Sequence, residues 1–157
     1  MGGRALFSVD LCVPRLVATN AEDAIRQLAR LLAAKGHVKP SFEAAAVQRE
    51  KKSPTGLPFP DAPVGLPHAE PEHVVSAAVA VAVLATPVRF REMGSPAVQL
   101  EARLVVMPAL TAKDQAAAGL ASLLELLQDA TLRAALLEAT TPSDMLAAIH
   151  ANIPEEP

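Results

Sequence analysis

Four histidines are the side chains in this sequence best suited to nucleophilic or acid–base chemistry near neutral pH. His68 differs from the others in its context, because it follows Gly65-Leu66-Pro67 at the end of a proline-rich segment and precedes a long apolar run. Stiff backbone there would hold the imidazole near solvent with one ring nitrogen free. An unperturbed imidazole, with a pKa of about 6.5, is largely neutral at pH 7 and can attack phosphorus. The residue pattern alone also allows an ordinary surface-loop histidine.

The remaining histidines give weaker indications. His37 and His150 lie at or near predicted helix ends, where an imidazole often caps backbone carbonyls. His68 and His73 are five residues apart, a spacing that does not place two metal ligands on one helical face. Cys12 is the only cysteine, so an internal disulfide is excluded and a cysteine-based metal site is disfavoured. We therefore expect no metal and no cofactor.

Arg49 is the cation best placed to assist His68. It lies with Glu50 at the end of a predicted helix, shortly before Pro54-Thr55-Gly56. A guanidinium matches phosphoryl oxygens in a bidentate manner and would offset charge that develops during transfer. The alternative is a solvated Arg-Glu pair beside two lysines, which would contribute little. Pro54-Thr55-Gly56-Leu57 lacks the glycines and the Lys-Ser/Thr pair of a nucleotide-binding P-loop.

Helices are predicted to precede the site. Phe7, Val9, Leu11 and Val13 alternate and predict a short strand or an extended arm. Asn20 is a predicted N-cap of a helix that stops near Gly36, and Ser41 is a predicted N-cap of a second helix through about Gln48. Six of the 14 prolines then fall between Pro54 and Pro71. Since this segment is also apolar, we expect a rigid functional loop rather than a linker.

Strands and further helices are predicted to follow the loop. Apolar runs predict strands at Val74–Leu84, Val88–Phe90 and Val98–Val106, the last with one apolar face: Val98, Leu100, Ala102, Leu104 and Val106. The C-terminal third has helical periodicity, which four leucines show: Leu120, Leu123, Leu124 and Leu127. Asp129 and Thr141 are predicted N-caps of the last two helices. Helices, then strands, then helices indicate a layered α/β domain.

Length and composition limit the classes of protein. The 157 residues, 51% of them hydrophobic, favour one compact domain. The net charge of -3 and the lack of a dense Lys/Arg block argue against nucleic-acid binding. The run from Val74 to Val88 is shorter than the roughly 20 residues that span a bilayer. The N-terminus also lacks the apolar region of a signal peptide, so we expect a cytoplasmic protein without membrane insertion.

Several short motifs, taken in order, resemble one known family. Arg49-Glu50, Pro54-Thr55-Gly56-Leu57 and Val64-Gly65-Leu66-Pro67-His68 resemble the phosphorylation-site region of fructose/mannitol-type IIA domains of sugar phosphotransferase systems. The stretches Glu70–Val74 and Pro87–Gly94 continue the likeness, which is closest to the galactitol-type branch. The likeness covers about residues 20–152 of a single expected domain, residues 1–157, with a short N-terminal arm and a C-terminal tail.

The resemblance implies a fold and a set of roles. The fold would be a three-layer α/β/α sandwich around a mixed sheet. His68 would accept phosphate from phospho-HPr and pass it to a cysteine of a IIB protein or domain, serving a IIC permease indirectly. Arg49 falls on the arginine beside that histidine, and Thr55 on a motif residue near the site. A regulatory, nitrogen-type IIA module, whose phosphorylation state controls a partner protein, is the alternative.

One position departs from many family members. Mannitol- and fructose-type domains often carry a second histidine near the phosphoryl group, and Ala116 occupies that position here. The galactitol-type and nitrogen-regulatory branches also lack this histidine, so the substitution favours those branches. Arg49 and backbone donors would then balance more of the phosphoryl charge. Leu57, Phe59 and Leu66 could form an apolar rim for HPr or could pack inward, and the sequence leaves both open.

Overall fold

A four-stranded mixed sheet forms the centre of the computed structural model, which describes residues 3–111 and 116–154. Its strands are β1 (Cys12–Leu16), β2 (Val64–Gly65), β3 (Ala78–Glu92) and β4 (Ser95–Ala109), in the spatial order β1-β3-β4-β2. The central pair, β3 and β4, is antiparallel, whereas β1 runs parallel to β3 and β2 runs parallel to β4. Both long strands are therefore protected by a neighbour on each side.

Helices cover both faces of the sheet. On one face lie α1 (Ala21–Ala34) and α2 (Phe42–Lys52). On the other lie α3 (Ala116–Leu127), α4 (Ala130–Glu138) and α5 (Pro142–Ala151). Each helical layer closes a separate apolar core against the sheet. The three-layer α/β/α sandwich with a mixed central sheet is thus confirmed.

The first half of β3, residues 78–84, is apolar without interruption and is buried. Ala78, Ala80 and Ala82 face α1 and α2, while the valines between them face the other helical layer. A strand buried on both faces needs no polar alternation. The alanines add little bulk, so two helices can lie close to the sheet on their side.

Local capping signals are mostly confirmed. The Asn20 side chain accepts from the Asp23 amide at 2.8 Å, and Asp129 and Thr141 cap α4 and α5 in the same way. Helix α1 ends before Gly36, which has a φ of 81°. Ser41 is an exception, because it makes no cap hydrogen bond and its hydroxyl contacts His73 Nδ1 at 2.7 Å instead.

The predicted strand boundaries need correction. The two strands expected at Val74–Leu84 and Val88–Phe90 form one strand, β3, which begins only at Ala78 and has an irregularity between Val83 and Val88. Pairing with β1 ends at Leu84, so Pro87, which has no amide hydrogen, lies in β3 beyond that pairing. The strand therefore continues through the proline.

Two other predictions differ from the structure. The single buried face expected for β4 is wrong: Ala102 packs toward α1 and α2, Leu104 and Val106 pack toward the other helices, and Val98 is exposed. The N-terminal alternation does not form one strand either. Short 3-10 turns occupy Gly3–Leu6 and Val9–Leu11, and only the following residues pair as β1. Among the described helices, none has both the length and the apolar character needed to cross a bilayer.

Candidate functional site

The proline-rich loop between α2 and β3 is attached to the sheet by its backbone. The Gly56 amide donates to the Arg91 carbonyl at 2.9 Å, and the Leu57 amide donates to the Val64 carbonyl at 2.7 Å. Two glycines permit this close approach: a Cβ on Gly56 would lie 2.6 Å from the Arg91 carbonyl oxygen, and one on Gly65 2.6 Å from the Phe90 ring. These contacts hold the loop against the sheet.

His68 follows the short strand β2, whose carboxyl end lies beside that of the parallel strand β4. The half-buried imidazole places Nδ1 2.9 Å from the Leu66 carbonyl oxygen. Because a carbonyl can only accept, Nδ1 carries the hydrogen and donates it. In the neutral ring, Nε2 then keeps its lone pair. The local backbone thus selects the tautomer in which Nε2 has a free lone pair and could act as a nucleophile.

Arg49 comes from the last turn of α2 and lines the same pocket as His68. Its Nε donates to Glu70 Oε1 at 3.3 Å, so the chain just after His68 holds the guanidinium. The pocket has a volume of about 210 Å³. Glu70 also lines the pocket, and the other lining residues within the described part of the chain are apolar: Ala69, Pro71, Pro108, Leu110, Ala116, Ala117 and Leu120.

The surroundings of His68 favour the neutral imidazole. Burial is the largest influence and lowers the pKa of His68 below its ordinary value. The hydrogen bond to the Leu66 carbonyl opposes this shift, the positive charge of Arg49 adds to it, and Glu70 opposes it. A neutral nucleophilic nitrogen beside a guanidinium is suited to attack an electrophile that carries negative oxygens.

Thr55 lies behind the pocket rather than on its wall. Its hydroxyl donates to Glu50 Oε1 at 2.7 Å and accepts from the Leu66 amide at 3.0 Å. Its own amide donates to Glu50 Oε2 at 3.0 Å. Both side chains are buried. Burial raises the pKa of Glu50, and the hydrogen bonds from Thr55 partly offset that shift.

The structure thus brings together two of the three predicted site residues. His68 and Arg49 share the pocket, whereas Thr55 reaches His68 only through the backbone of Leu66. Ala116, which the family resemblance predicted at the position of a second histidine, also lines the pocket. The other histidines lie elsewhere: His37 contacts Ser76, His73 contacts Ser41, and His150 lies in the last turn of α5.

The apolar side chains of the loop pack mainly inward. Leu66 is fully buried and Leu57 is 8% exposed, so these two do not form an exposed rim. Phe59 is half-buried, with the Arg133 guanidinium 4.1 Å from its ring centroid. Within residues 3–111 and 116–154, no three His, Cys, Asp or Glu side chains group in a way that could hold a metal ion.

Two site residues were missed by the sequence reasoning. Glu50 was considered as part of a solvated pair with Arg49, but it is buried and bonds Thr55. The partner of Arg49 is instead Glu70, 21 residues further along the chain. The motifs Arg49-Glu50 and Pro54-Thr55-Gly56 are close in sequence, which is compatible with the contact between Glu50 and Thr55. Their spacing does not indicate that the Glu50 carboxylate is buried.

This chain is similar to one protein family and to several solved structures. The family model described as "Phosphoenolpyruvate-dependent sugar phosphotransferase system, EIIA 2" matches residues 5–152. No curated protein sequence matches the chain. Among solved structures, enzyme IIA of the mannitol system from Escherichia coli, in complex with phosphorylated enzyme IIB, is 24% identical with a TM-score of 0.76. That alignment covers 92% of this chain and 97% of the other.

Two further structures share the fold. The mannitol-specific cryptic phosphotransferase enzyme IIA CmtB from Escherichia coli has a TM-score of 0.75 at 20% identity, over 96% of this chain and 99% of its own. The nitrogen regulatory protein IIA-Ntr from Neisseria meningitidis has a TM-score of 0.72 at 17% identity, over 93% and 97%. The match of the family model extends over nearly the whole chain and includes the pocket. This protein therefore belongs to the EIIA 2 family of the phosphoenolpyruvate-dependent sugar phosphotransferase system.

Proposed function

We propose that this protein is a cytoplasmic phosphoryl carrier that accepts phosphate from phospho-HPr on His68 Nε2 and passes it to a IIB component. The hydrogen bond from His68 Nδ1 to the Leu66 carbonyl supports this proposal most directly. It leaves Nε2 as the nitrogen with a lone pair, in a pocket that also contains a guanidinium. A phosphoryl group bound to Nε2 would be near Arg49, which would balance its charge.

The proposed transfer balances without a further reactant. The Nε2 lone pair of His68 forms a bond to phosphorus while the phosphorus–nitrogen bond of phospho-HPr breaks. His68 then carries the phosphoryl group on Nε2 and a hydrogen on Nδ1, so its ring bears positive charge. The Leu66 carbonyl stabilises that charge. In the second step a IIB thiolate attacks phosphorus, and the bonding electrons return to Nε2.

The substrate class is inferred from motifs rather than from the pocket. The similarity of the motifs to the galactitol-type branch favours a galactitol-like carbohydrate, moved by a IIC permease that this chain serves through IIB. Ala116 in the pocket wall is consistent with that branch. Ala116 also favours the second candidate, a nitrogen-type regulatory module, since that branch lacks the second histidine as well. Phosphate transfer to a galactitol-type IIB protein favours the transport role, and its absence favours the regulatory one.

A phosphorylation assay tests the carrier function. Incubation with phosphoenolpyruvate, Enzyme I and HPr is expected to add one acid-labile phosphate per chain, and His68→Ala is expected to abolish it. His73→Ala is the matched control, because this histidine is hydrogen-bonded to Ser41 and does not line the pocket. Undiminished labelling of His68→Ala would contradict the proposal.

A further inference from the structure

A continuous series of hydrogen bonds connects the end of α2 to the ring of His68. The Glu50 carboxylate accepts from both the hydroxyl and the amide of Thr55. The Thr55 hydroxyl accepts from the Leu66 amide, and the Leu66 carbonyl accepts from His68 Nδ1. The four bonds range from 2.7 to 3.0 Å, within the normal range for strong protein hydrogen bonds.

The direction of this series is fixed by the Leu66 amide and the Glu50 side chain. The amide can only donate, so the Thr55 hydroxyl oxygen accepts from it and directs its own hydrogen to Glu50 Oε1. The hydroxyl oxygen then keeps a lone pair that faces the Leu66 amide. Without the carboxylate the hydroxyl could rotate, and the buried Leu66 amide would lose its oriented acceptor. Glu50 thereby orders a backbone group that it does not touch.

Leu66 is held from both sides by this arrangement. Its amide is fixed by Thr55, its side chain is fully buried, and its carbonyl is the acceptor for His68. Pro67 follows directly and restricts the backbone between that carbonyl and His68. The position of the carbonyl, and with it the orientation of the His68 ring, therefore depends on Thr55 and Glu50.

The same helical turn serves both sides of the pocket. Arg49 and Glu50 are consecutive in the last turns of α2, and their side chains diverge. Arg49 lines the pocket, and Glu50 turns toward the buried loop. One rigid element thus sets the place of the guanidinium and, through Thr55, the place of the imidazole. Because both depend on the same helix, the guanidinium and the imidazole keep a fixed position relative to each other.

We propose that Glu50, acting through Thr55 and the Leu66 backbone, is a positioning residue that holds His68 in the tautomer with a free Nε2. The consequence for transfer rests on the proposed function, but the tautomer does not. Glu50 needs no contact with the phosphoryl group for this role. Its function is to fix the orientation of the nucleophile before the donor arrives.

The proposal is tested by nitrogen NMR of the histidine rings. Two-bond proton–nitrogen correlation spectra, recorded about one unit above the ordinary imidazole pKa, report which ring nitrogen carries the hydrogen. For the wild-type protein and for Thr55→Ser, which keeps the hydroxyl, we expect His68 with a hydrogen on Nδ1. For Glu50→Gln and Thr55→Val we expect a mixture of the two tautomers. We also expect phosphorylation by phospho-HPr to slow by about 10- to 100-fold in these two variants.

Glu43→Gln is the matched control. Glu43 is on the same helix and binds Arg26 and Arg30, but it is not part of the series that leads to His68. This variant is expected to keep the wild-type tautomer and rate even if its thermal stability falls. A general effect of weakening α2 would instead alter Glu43→Gln as well, and that outcome would overturn the proposal.

Different experimental results would contradict the positioning role of Glu50 and the carrier function of the protein. Folded Glu50→Gln and Thr55→Val proteins with the wild-type tautomer and rate would overturn the positioning role, whatever their stability. If Thr55→Val does not fold, Glu50→Gln and Thr55→Ala decide by the same criterion. A wild-type protein that shows the expected tautomer but takes no phosphate from phospho-HPr would contradict the carrier function alone.

Discussion

At the scale of single residues, His68 is placed between two opposite charges that also bind each other. Arg49 lowers the pKa of His68, and Glu70 raises it. Arg49 Nε lies 3.3 Å from Glu70 Oε1. Phosphoryl oxygens on His68 would compete with the Glu70 carboxylate for the guanidinium of Arg49. Glu70 would therefore hold the arginine near the pocket before transfer and release it once a stronger acceptor is present.

These two charges predict opposite changes in the pH dependence of phosphorylation. Nucleophilic attack needs neutral His68, and burial lowers its pKa, so the acid limb of the rate is expected below pH 6.5, about the ordinary imidazole value. Loss of a positive neighbour raises the pKa of His68, so Arg49→Gln should move the limb to higher pH. Loss of a negative neighbour lowers that pKa, so Glu70→Gln should move the limb to lower pH.

Single-turnover rates with phospho-HPr, measured across pH, test this pair of variants. Arg49→Gln is also expected to reduce the maximal rate by about 100-fold or more, since it removes a donor to the developing charge. Glu70→Gln serves as its counterpart, because it should shift the limb without a comparable loss of maximal rate. Limbs that shift in the same direction in both variants would contradict this account of the site.

The sequence predicted the candidate pair His68 and Arg49, which line one pocket, but not the residues that support them. His68 and Arg49 followed from the order of the motifs and from the chemistry of imidazole and guanidinium. The inward turn of Glu50 depends on how α2 meets the loop, and the contact of Arg49 with Glu70 depends on where the loop returns. Contacts of this kind join segments whose relative placement is set by tertiary packing, so local patterns do not contain them.

At the scale of elements, Arg133 connects the proline-rich loop to the C-terminal helices. The buried guanidinium donates to the Leu127 carbonyl at 2.6 Å and to both carboxylate oxygens of Asp61, at 2.9 and 3.1 Å. It also lies over the ring of Phe59. This side chain joins the end of α3, the start of α4 and the loop that carries His68.

Arg133→Met is therefore expected to destabilise the fold. Methionine retains an apolar stem beside Phe59 but leaves the Leu127 carbonyl without this donor, which should cost about 1–3 kcal/mol in the free energy of unfolding. Urea unfolding measures the change. Asp61→Asn is the control: its side chain is 45% exposed, so a smaller loss is expected. Equal losses in the two variants would show that the ion pair, rather than the buried carbonyl, carries the contribution.

Elements specified by local rules were predicted well. The caps at Asn20, Asp129 and Thr141 are one-residue signals, and all three are present. Ser41 shows the limit, since its hydroxyl binds His73 and not the helix. Strand β3 shows another limit, because it continues through Pro87, beyond the point where its pairing with β1 ends. Proline is disfavoured inside strands, but whether a strand can contain one depends on how the neighbouring strands pair with it.

At the scale of the whole molecule, the pocket lies where both helical layers meet the sheet. Arg49 comes from α2 in one layer, and Ala116 and Leu120 come from α3 in the other. His68 and Pro108 come from the carboxyl ends of β2 and β4 between them. The order of helices and strands along the chain predicted the layers, but the meeting point depends on the parallel pairing of β2, a strand of two residues. Such a short strand has no periodicity to detect.

His68 is proposed to carry the phosphoryl group on Nε2 while Nδ1 keeps its hydrogen. Phosphorylation of nitrogen-15-labelled protein, followed by measurement of phosphorus–nitrogen coupling in the His68 ring, tests this proposal directly. We expect coupling to Nε2, a hydrogen on Nδ1, and no phosphate on His37, His73 or His150. Coupling to Nδ1, or phosphate on any other residue, would contradict it.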